Sequence, residues 1–136
     1  RCRILSRPQA QGPGASASRR EATLRRDRER LEDALEAIDR IQKYVGRGRA
    51  AFEGDELIQA WIVHHLEILG EALSHVPPSV RELAPLLPWS KATGMRNVLV
   101  HGYFGIDLEE VWNTAHHDLP GLREQISILL NVLPRD

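Results

Sequence analysis

The sequence is poor in the features that mark secreted, disulfide-stabilised and membrane-spanning proteins. Its 136 residues contain one cysteine, Cys2, so neither a disulfide framework nor a cysteine-based zinc site is available. No apolar run approaches the roughly 18 residues of a membrane span, and the N-terminus lacks the apolar core of a secretory signal. We therefore expect a cytoplasmic protein of one domain, since the chain is too short for a second catalytic module.

A large net charge is also lacking, but the two signs are unevenly distributed. Residues 1–30 hold nine arginines against three acids, a net charge of +6, whereas residues 31–136 hold nine basic residues against sixteen acids, a net charge of −7. A body of that sign is a poor general binder of polyanions. A nucleic-acid substrate would therefore need a local basic site.

The charge and composition of the N-terminus divide the chain into two parts. Residues 1–22 are predicted to be a disordered or expression-derived leader, because they are mostly Arg, Gln, Gly, Pro, Ala and Ser. Their arginines point more to a solvated tail than to nucleic-acid contacts, so the leader is assigned no function. Residues 23–136 are predicted to form a helical domain.

No segment alternates apolar and polar residues as an exposed-face strand does, and apolar spacings of three and four predict helices instead. The first helix runs from about Arg26 to a glycine stop, with the apolar stripe Leu31, Leu35, Ile38, Ile41 and Val45 before Gly46 and Gly48. Asp55 is a good N-cap for the second helix. Apolar residues cover more than half of that helix, as in the centre of a bundle: Leu57, Ile58, Trp61, Ile62, Leu66, Ile68, Leu69, Ala72 and Leu73.

Prolines divide the second half of the chain. Pro77-Pro78 stop the second helix, Ser79 is predicted to cap a short helix that reaches about Leu87, and Pro88 breaks the chain again. Beyond it we expect a helix from about Trp89 to Val100 and then a turn over 102–105. Asp107 is predicted to cap the next helix, whose apolar residues are Leu108, Val111, Trp112 and Ala115. Pro120 is predicted to open the last helix, whose apolar residues are Leu122, Ile126, Leu129, Leu130 and Leu133. The predicted fold is all-α, an up-and-down bundle of four longer helices and one short one.

The residues best suited to catalysis cluster where the Trp89–Val100 helix is predicted to end: Arg96, Asn97, His101, Gly102 and Tyr103. Histidine titrates near neutrality and can exchange protons, and the arginine fork matches phosphate oxygens. On an ideal helix Asn97 shares a face with His101 and could orient its ring, whereas Arg96 and His101 diverge. We therefore predict that two copies meet across a two-fold axis to complete a site that needs no metal, with Gly102 allowing substrate to approach closely.

Two structural interpretations of the same residues remain open. His101 and Gly102 can simply end a helix, the histidine favouring the negative helix end and the glycine adopting a left-handed conformation. Tyr103 can be a core residue. On that interpretation the protein is a plain helical dimer whose motif is a capping device.

Several short sequence segments, in the order in which the family has them, resemble the HepT-like toxins, a branch of the HEPN superfamily of small all-α ribonucleases. They are Leu66–Ala72, Pro88-Trp89, Gly94–Asp107, Val111-Trp112 and Asp118–Pro120. The resemblance covers the chain from about Arg26. It implies a HEPN-like two-fold homodimer with a metal-independent, cofactor-free ribonuclease centre between the subunits.

The resemblance also implies a role for each motif residue. Arg96 and His101 would be catalytic with Asn97 in support, and Tyr103 would accept AMP from ATP through a minimal nucleotidyltransferase antitoxin of the MntA type. The predicted function is that of a toxin that cuts RNA internally or at its 3′ end, with transfer RNA among the candidates. The alternative is a HEPN-type dimeric binding module that has lost turnover and partners a nucleotidyltransferase.

Three other polar features are relevant to the predicted cleft. His64-His65 stand where the family often has arginine, and His64 and Glu71 are predicted to line the cleft. A solvated or ion-paired helix acid is nevertheless the more common role for a residue placed like Glu71. His116 and His117 are adjacent, so their side chains diverge by about 100° on a helix, and we predict no metal site there.

Overall fold

A computed structural model describes residues 13–94 and 107–134 of the chain. These residues form helices and turns with no strand among them, which confirms the all-α fold class. In chain order the helices are α1 (Pro13–Val45), α2 (Arg49–Gly54), α3 (Glu56–Ser74), α4 (Pro78–Arg81), α5 (described over 89–94), α6 (Leu108–Asn113) and α7 (Leu119–Val132). None of the described helices combines the length and the apolar character that crossing a bilayer requires.

Helix α1 is longer than predicted. It begins at Pro13 and not near Arg26, so it takes in residues 13–22, which the composition assigns to a disordered leader. A proline suits the first turn of a helix, and the alanines, arginines and glutamate that follow are good helix formers. Its predicted stripe is confirmed, with Leu31, Ile38, Ile41 and Val45 buried. The predicted glycine stop is confirmed as well, since Gly48 has a φ of 96°.

Helix α2 is an element that the sequence pattern does not predict. It places Phe52 in the core, 1% exposed, with its ring 5.3 Å from that of Trp112. The N-cap of α3 is as predicted, because an Asp55 carboxylate oxygen accepts a hydrogen bond from the Leu57 N–H at 2.9 Å. Some apolar residues of α3 lie outside its buried face, since the Leu57 side chain is 80% exposed and the Ile68 side chain 37% exposed.

The predicted short helix is shorter and starts earlier. Pro77 is the N-cap and Pro78 the first residue of α4, so Ser79 does not cap it, and the helix ends at Arg81 instead of near Leu87. Turns replace the last part of the predicted helix. Pro85 explains the difference, because its nitrogen has no hydrogen to donate and its ring blocks the preceding turn.

The last two predicted helices are joined by a five-residue π-helical turn, Thr114–Asp118. The wide turn is closed by the Leu119 N–H, which donates to the Thr114 carbonyl five residues earlier. Pro120, the predicted helix opener, lies at the second position of α7. Its ring would collide with the carbonyl four residues back in a regular helix, so the wider turn lets the chain continue without a break.

The core lies where α1 packs against α3 and α7, and α2 and α6 contact α3 and each other. The largest fully buried side chains come from all of these elements except α6, and one, Val76, lies just after α3: Leu31, Ile38, Ile41, Phe52, Ile62, Leu66, Leu69, Leu73, Val76, Leu119, Ile126 and Leu129. Each side chain of this kind contributes about 1.5–3 kcal/mol when it leaves water. The three long helices therefore form the stable body of the described residues.

Candidate functional site

The predicted catalytic and modification residues lie outside the described residues. Arg96, Asn97, His101, Gly102 and Tyr103 all fall in the segment 95–106. The structure does describe the helix that leads into this segment and the helix that follows it. The way in which both ends of the segment are held can therefore be given at the level of atoms.

The upstream end is held by Trp89, the first residue of α5 and 9% exposed. Its indole N–H donates to the Ala84 carbonyl at 2.9 Å. One turn later Ala92 is buried, and the Thr93 hydroxyl donates to the Trp89 carbonyl at 2.9 Å. Lys91 completes the attachment by a 3.0 Å ion pair with Asp118 of the π turn. Residues 89–94 are thus fixed before the predicted catalytic segment begins.

Arg81 connects α5 to the end of α3. Its guanidinium donates to the Val76 carbonyl at 2.9 Å and to the Leu73 carbonyl at 3.2 Å. The same group lies 5.3 Å from the centre of the Trp89 ring, within cation–π range. One side chain therefore satisfies carbonyls at a helix end and positions the tryptophan that starts α5.

The downstream end is held by Asp107, the N-cap of α6. Its carboxylate accepts hydrogen bonds from the N–H groups of Glu109 at 3.0 Å and Glu110 at 3.3 Å. Arg49 of α2 binds Glu109 and also Glu53, the latter at 2.8 Å. The hydrogen bonds to Glu53 and Glu109 raise the pKa of Arg49 above its usual value. The start of α6 is therefore fixed both by its cap and by an ion pair to a neighbouring helix.

A groove of about 680 Å³ between α1 and α3 brings together the two predicted cleft-lining residues, His64 and Glu71. Both side chains are exposed, and the Nε2 of His75 donates to a Glu71 carboxylate oxygen at 2.8 Å. The groove carries charges of both signs, since its lining also includes Arg30, Asp33, Glu36, Arg40 and Glu67. Acids outnumber arginines in this lining, so the groove is a poor site for tight binding of a phosphate.

The two adjacent histidines of α3 have different environments. His65 is 6% exposed, and its Nδ1 lies 2.8 Å from the Trp61 carbonyl. A carbonyl only accepts, so that nitrogen carries the proton. The ring also lies 4.3 Å from the Trp61 ring, which makes His65 a core residue. Both histidines contribute to the groove lining, and His64 is the member of the pair that is exposed to solvent.

The pair His116-His117 lies in the π turn with both side chains exposed. The His116 ring stacks on the Trp112 ring, with 5.3 Å between ring centres. The His117 ring stands nearly perpendicular to the His116 ring. Within residues 13–94 and 107–134, no group of three or more histidine, cysteine or acidic side chains is placed to hold a metal ion.

One buried charged residue was not predicted. Asp27 of α1 is 7% exposed, and burial raises the pKa of its carboxyl while the neighbouring Arg26 opposes that change. The signal was present in the sequence, because 27, 31, 34 and 38 continue the apolar spacing of α1 toward the N-terminus. Asp27 lies one turn before Leu31, the first buried leucine, on the same side of α1 as the core residues.

Comparison with known proteins identifies the family to which this chain belongs. The family model described as "Ribonuclease HepT-like" matches residues 34–129, most of the chain and the whole of the 95–106 segment. The chain belongs to the HepT-like ribonuclease family. The match includes both anchors of the predicted catalytic segment, whereas the first 21 residues of α1 precede it.

Named relatives agree with this HepT-like assignment. The chain is 36% identical over 96 residues to "Probable ribonuclease HepT" of Thermococcus cleftensis, covering 68% of this chain and 86% of the relative. It is 33% identical over 101 residues to "Putative RNase MJ1216" of Methanocaldococcus jannaschii, covering 74% and 84%. It is 33% identical over 90 residues to "Putative RNase TTE0752" of Caldanaerobacter subterraneus, covering 66% and 80%. No solved structure matches the chain significantly.

Proposed function

We propose that this protein is a metal-independent ribonuclease that acts as the toxin of a toxin–antitoxin pair in the cytoplasm. The observation that carries the proposal is the presence of Arg96, His101 and Tyr103 in a chain of the HepT-like family. The names of the relatives support RNA as the substrate class. Transfer RNA is one candidate, with cleavage either internal or at the 3′ end.

The proposed reaction is a transfer of the phosphodiester to the adjacent 2′-hydroxyl. One His101 removes the proton of the 2′-hydroxyl, whose oxygen attacks phosphorus, and a second imidazole gives a proton to the departing 5′-oxygen. Arg96 offsets the charge that develops on the phosphate, and Asn97 orients the His101 ring. Proton transfer of this kind contributes about 10²–10⁴-fold to the rate.

The proposed site is shared between two copies of the chain. Arg96 and His101 are five positions apart, about 140° around an ideal helix, so a single helix would not direct both at one phosphate. A two-fold axis would bring two of each residue together. Gly102, which has no side chain, would leave room for the substrate backbone.

The proposed control is adenylylation of Tyr103 by a minimal nucleotidyltransferase antitoxin. The phenol oxygen would bond to the α-phosphorus of ATP, pyrophosphate would leave, and the phenol proton would pass to solvent. The added AMP places bulk and negative charge in a site built for phosphate, so substrate RNA would be excluded. His64 and Glu71 are proposed to line the approach to this site.

The test is cleavage of total RNA and transfer RNA in EDTA by the wild type and by Arg96→Ala and His101→Ala. We expect both variants to lose at least about 100-fold in rate while retaining the helical circular dichroism of the wild type. His117→Ala, an exposed histidine outside the motif, is the matched control and should cut like the wild type.

Equal cleavage by all four proteins would exclude the motif as the catalytic centre. If purified wild type does not cut, intact mass decides the outcome. A mass increase of one or more AMP groups, absent from Tyr103→Phe, would support the proposed control. An unmodified and inactive wild type would favour the dimeric binding module instead.

A further inference from the structure

Helix α1 extends past the body of the molecule as an arm, residues 13–26. The first core leucine of α1 is Leu31, and upstream of it Asp27 is the one buried side chain among those described. Side chains 18–26 are exposed or half-exposed. At 1.5 Å per residue the arm is about 21 Å long. It also precedes residues 34–129, the part of the chain that the family model matches.

Three arginines form a basic strip along α1. At 100° per residue, Arg19, Arg26 and Arg30 fall within about 40° of one another, spread over about 16 Å of helix axis. Thr23 lies on the same side, and its hydroxyl donates to the Arg19 carbonyl at 3.0 Å, so no bulky apolar group interrupts the strip.

The charges of the basic strip are available to a ligand. No described residue forms an ion pair with Arg19, Arg26 or Arg30, nor a hydrogen bond with their guanidinium groups, although the charge of Arg26 does act on the neighbouring Asp27 carboxyl. Arg28, on the opposite side of α1, contrasts with them. It donates to the Leu130 carbonyl at 2.9 Å and approaches Glu32 at 4.0 Å, so it belongs to the packing of α7.

The charge distribution favours a polyanion as the ligand. Residues 31–136 carry a net charge of −7 and repel phosphate, whereas residues 1–30 carry +6. Arginine forks bind phosphate oxygens in pairs, and the positive end of the α1 dipole lies at the same end of the helix. The carboxylates of Glu29, Glu32 and Asp33 lie beside Arg26 and Arg30, so phosphate contacts should end at Arg30 and not continue into the α1–α3 groove.

From these observations we infer that the basic strip is a docking site for the phosphate backbone of RNA. The choice of RNA rests on the proposed ribonuclease function, but docking is separate from cleavage because the strip contains none of the motif residues. The strip holds the substrate, and the segment 95–106 acts on it. An acidic face of a second copy is the competing occupant.

The test is binding of a short labelled single-stranded RNA by fluorescence anisotropy, in EDTA and in a His101→Ala background, over a series of salt concentrations. The strip variant combines Arg19→Gln, Arg26→Gln and Arg30→Gln. Its matched control combines Arg25→Gln, Lys43→Gln and Arg47→Gln, which removes the same charge from positions outside the strip. Glutamine keeps the helix propensity of arginine, so both variants should fold.

We expect the strip variant to bind RNA at least about tenfold more weakly, and the slope of log affinity against log salt to fall by about 2. The control variant should keep both values. Equal binding by the two variants would overturn the docking site. A change in oligomer mass for the strip variant, with unchanged RNA affinity, would overturn it in favour of a second copy.

These outcomes are distinct from those of the proposed function. Strip-dependent binding by a wild type that cuts no RNA would leave the docking site standing and remove the ribonuclease. Cleavage that depends on His101 together with strip-independent binding would do the reverse.

Discussion

Long polar side chains complete the hydrogen bonding of the helix ends in this protein. Arg81 donates to carbonyls at the end of α3, and Arg28 donates to the Leu130 and Leu133 carbonyls at the end of α7. The last carbonyls of a helix have no intrahelical partner and carry partial negative charge, so a guanidinium satisfies both needs. Two arginines out of a large set are therefore structural, although composition alone does not distinguish them from the others.

Asp27 is the residue at which stability should depend on pH. Because burial raises the pKa of its carboxyl in the folded protein, the ionised form is disfavoured by folding. The resulting loss of stability is complete above the folded pKa, and it disappears as pH falls below the unfolded value near 3.8. We expect Asp27→Asn to melt at a higher temperature than the wild type at pH 7, with the difference shrinking as the solution is acidified.

Thermal unfolding followed by circular dichroism at several pH values checks this expectation. Asp33→Asn, an exposed acid on the same helix, should show no such gain at pH 7. A lower melting temperature for Asp27→Asn at pH 7 would show that the buried carboxylate is needed in its charged form.

At the scale of elements, the π turn depends on a side chain from another helix. The Leu119 N–H bonds to Thr114, so the Ala115 carbonyl loses its usual helical partner. The Gln42 amide of α1 donates to that carbonyl at 3.1 Å. Gln42→Ala should therefore lower the free energy of unfolding by about 1–3 kcal/mol, since a part-buried acceptor is left unsatisfied.

Urea unfolding measures this change, with Gln125→Ala of α7 as the matched control, because the Gln125 amide makes no hydrogen bond to a described residue. Equal stability of the two variants would mean that water replaces the Gln42 amide without loss.

The elements also show which signals are local enough to be predicted. Asp55 and Asp107 were predicted as N-caps and are confirmed, because a cap is determined by a side chain and the N–H groups two or three residues later. The π turn was not predicted, since its supporting bond joins Gln42 to Ala115, 73 positions apart. Helix α2 was missed because a single buried aromatic, Phe52, gives no periodic pattern.

Some features of the candidate site could likewise be predicted from the sequence, and others depend on packing between helices. The motif residues were recognised from their chemistry and from several matching phrases, and their roles stay predictions. His64 and Glu71 lie in one groove, but only the packing of α1 on α3 gives that groove its mixed charge. The basic strip was not predicted because the leader was assigned as disordered, and unpaired arginines acquire a common face only when they are helical.

At the scale of the whole molecule, the arm and the core should be energetically independent. Removal of residues 1–22 should change the free energy of unfolding by less than about 1 kcal/mol, because the buried apolar core begins at Leu31. Arg28→Ala should have a larger effect, about 1.5–3 kcal/mol, through the lost bond to α7. Urea unfolding of both proteins provides the comparison, and a large loss on truncation would place part of the core in the arm.

The length of α1 also gives the molecule a permanent electric dipole. Arginines are concentrated at the N-terminal end of a 33-residue helix, whereas residues 31–136 carry a net negative charge and the buried apolar residues of the helix begin at Leu31. The backbone dipole of the helix has the same sense, so the two contributions add. In the field of a polyanion such a molecule experiences a torque that turns its N-terminus forward before any contact forms. Salt would weaken this orientation and lower the rate of productive encounters, because at about 0.1–0.15 M salt the field is screened within about 8–10 Å.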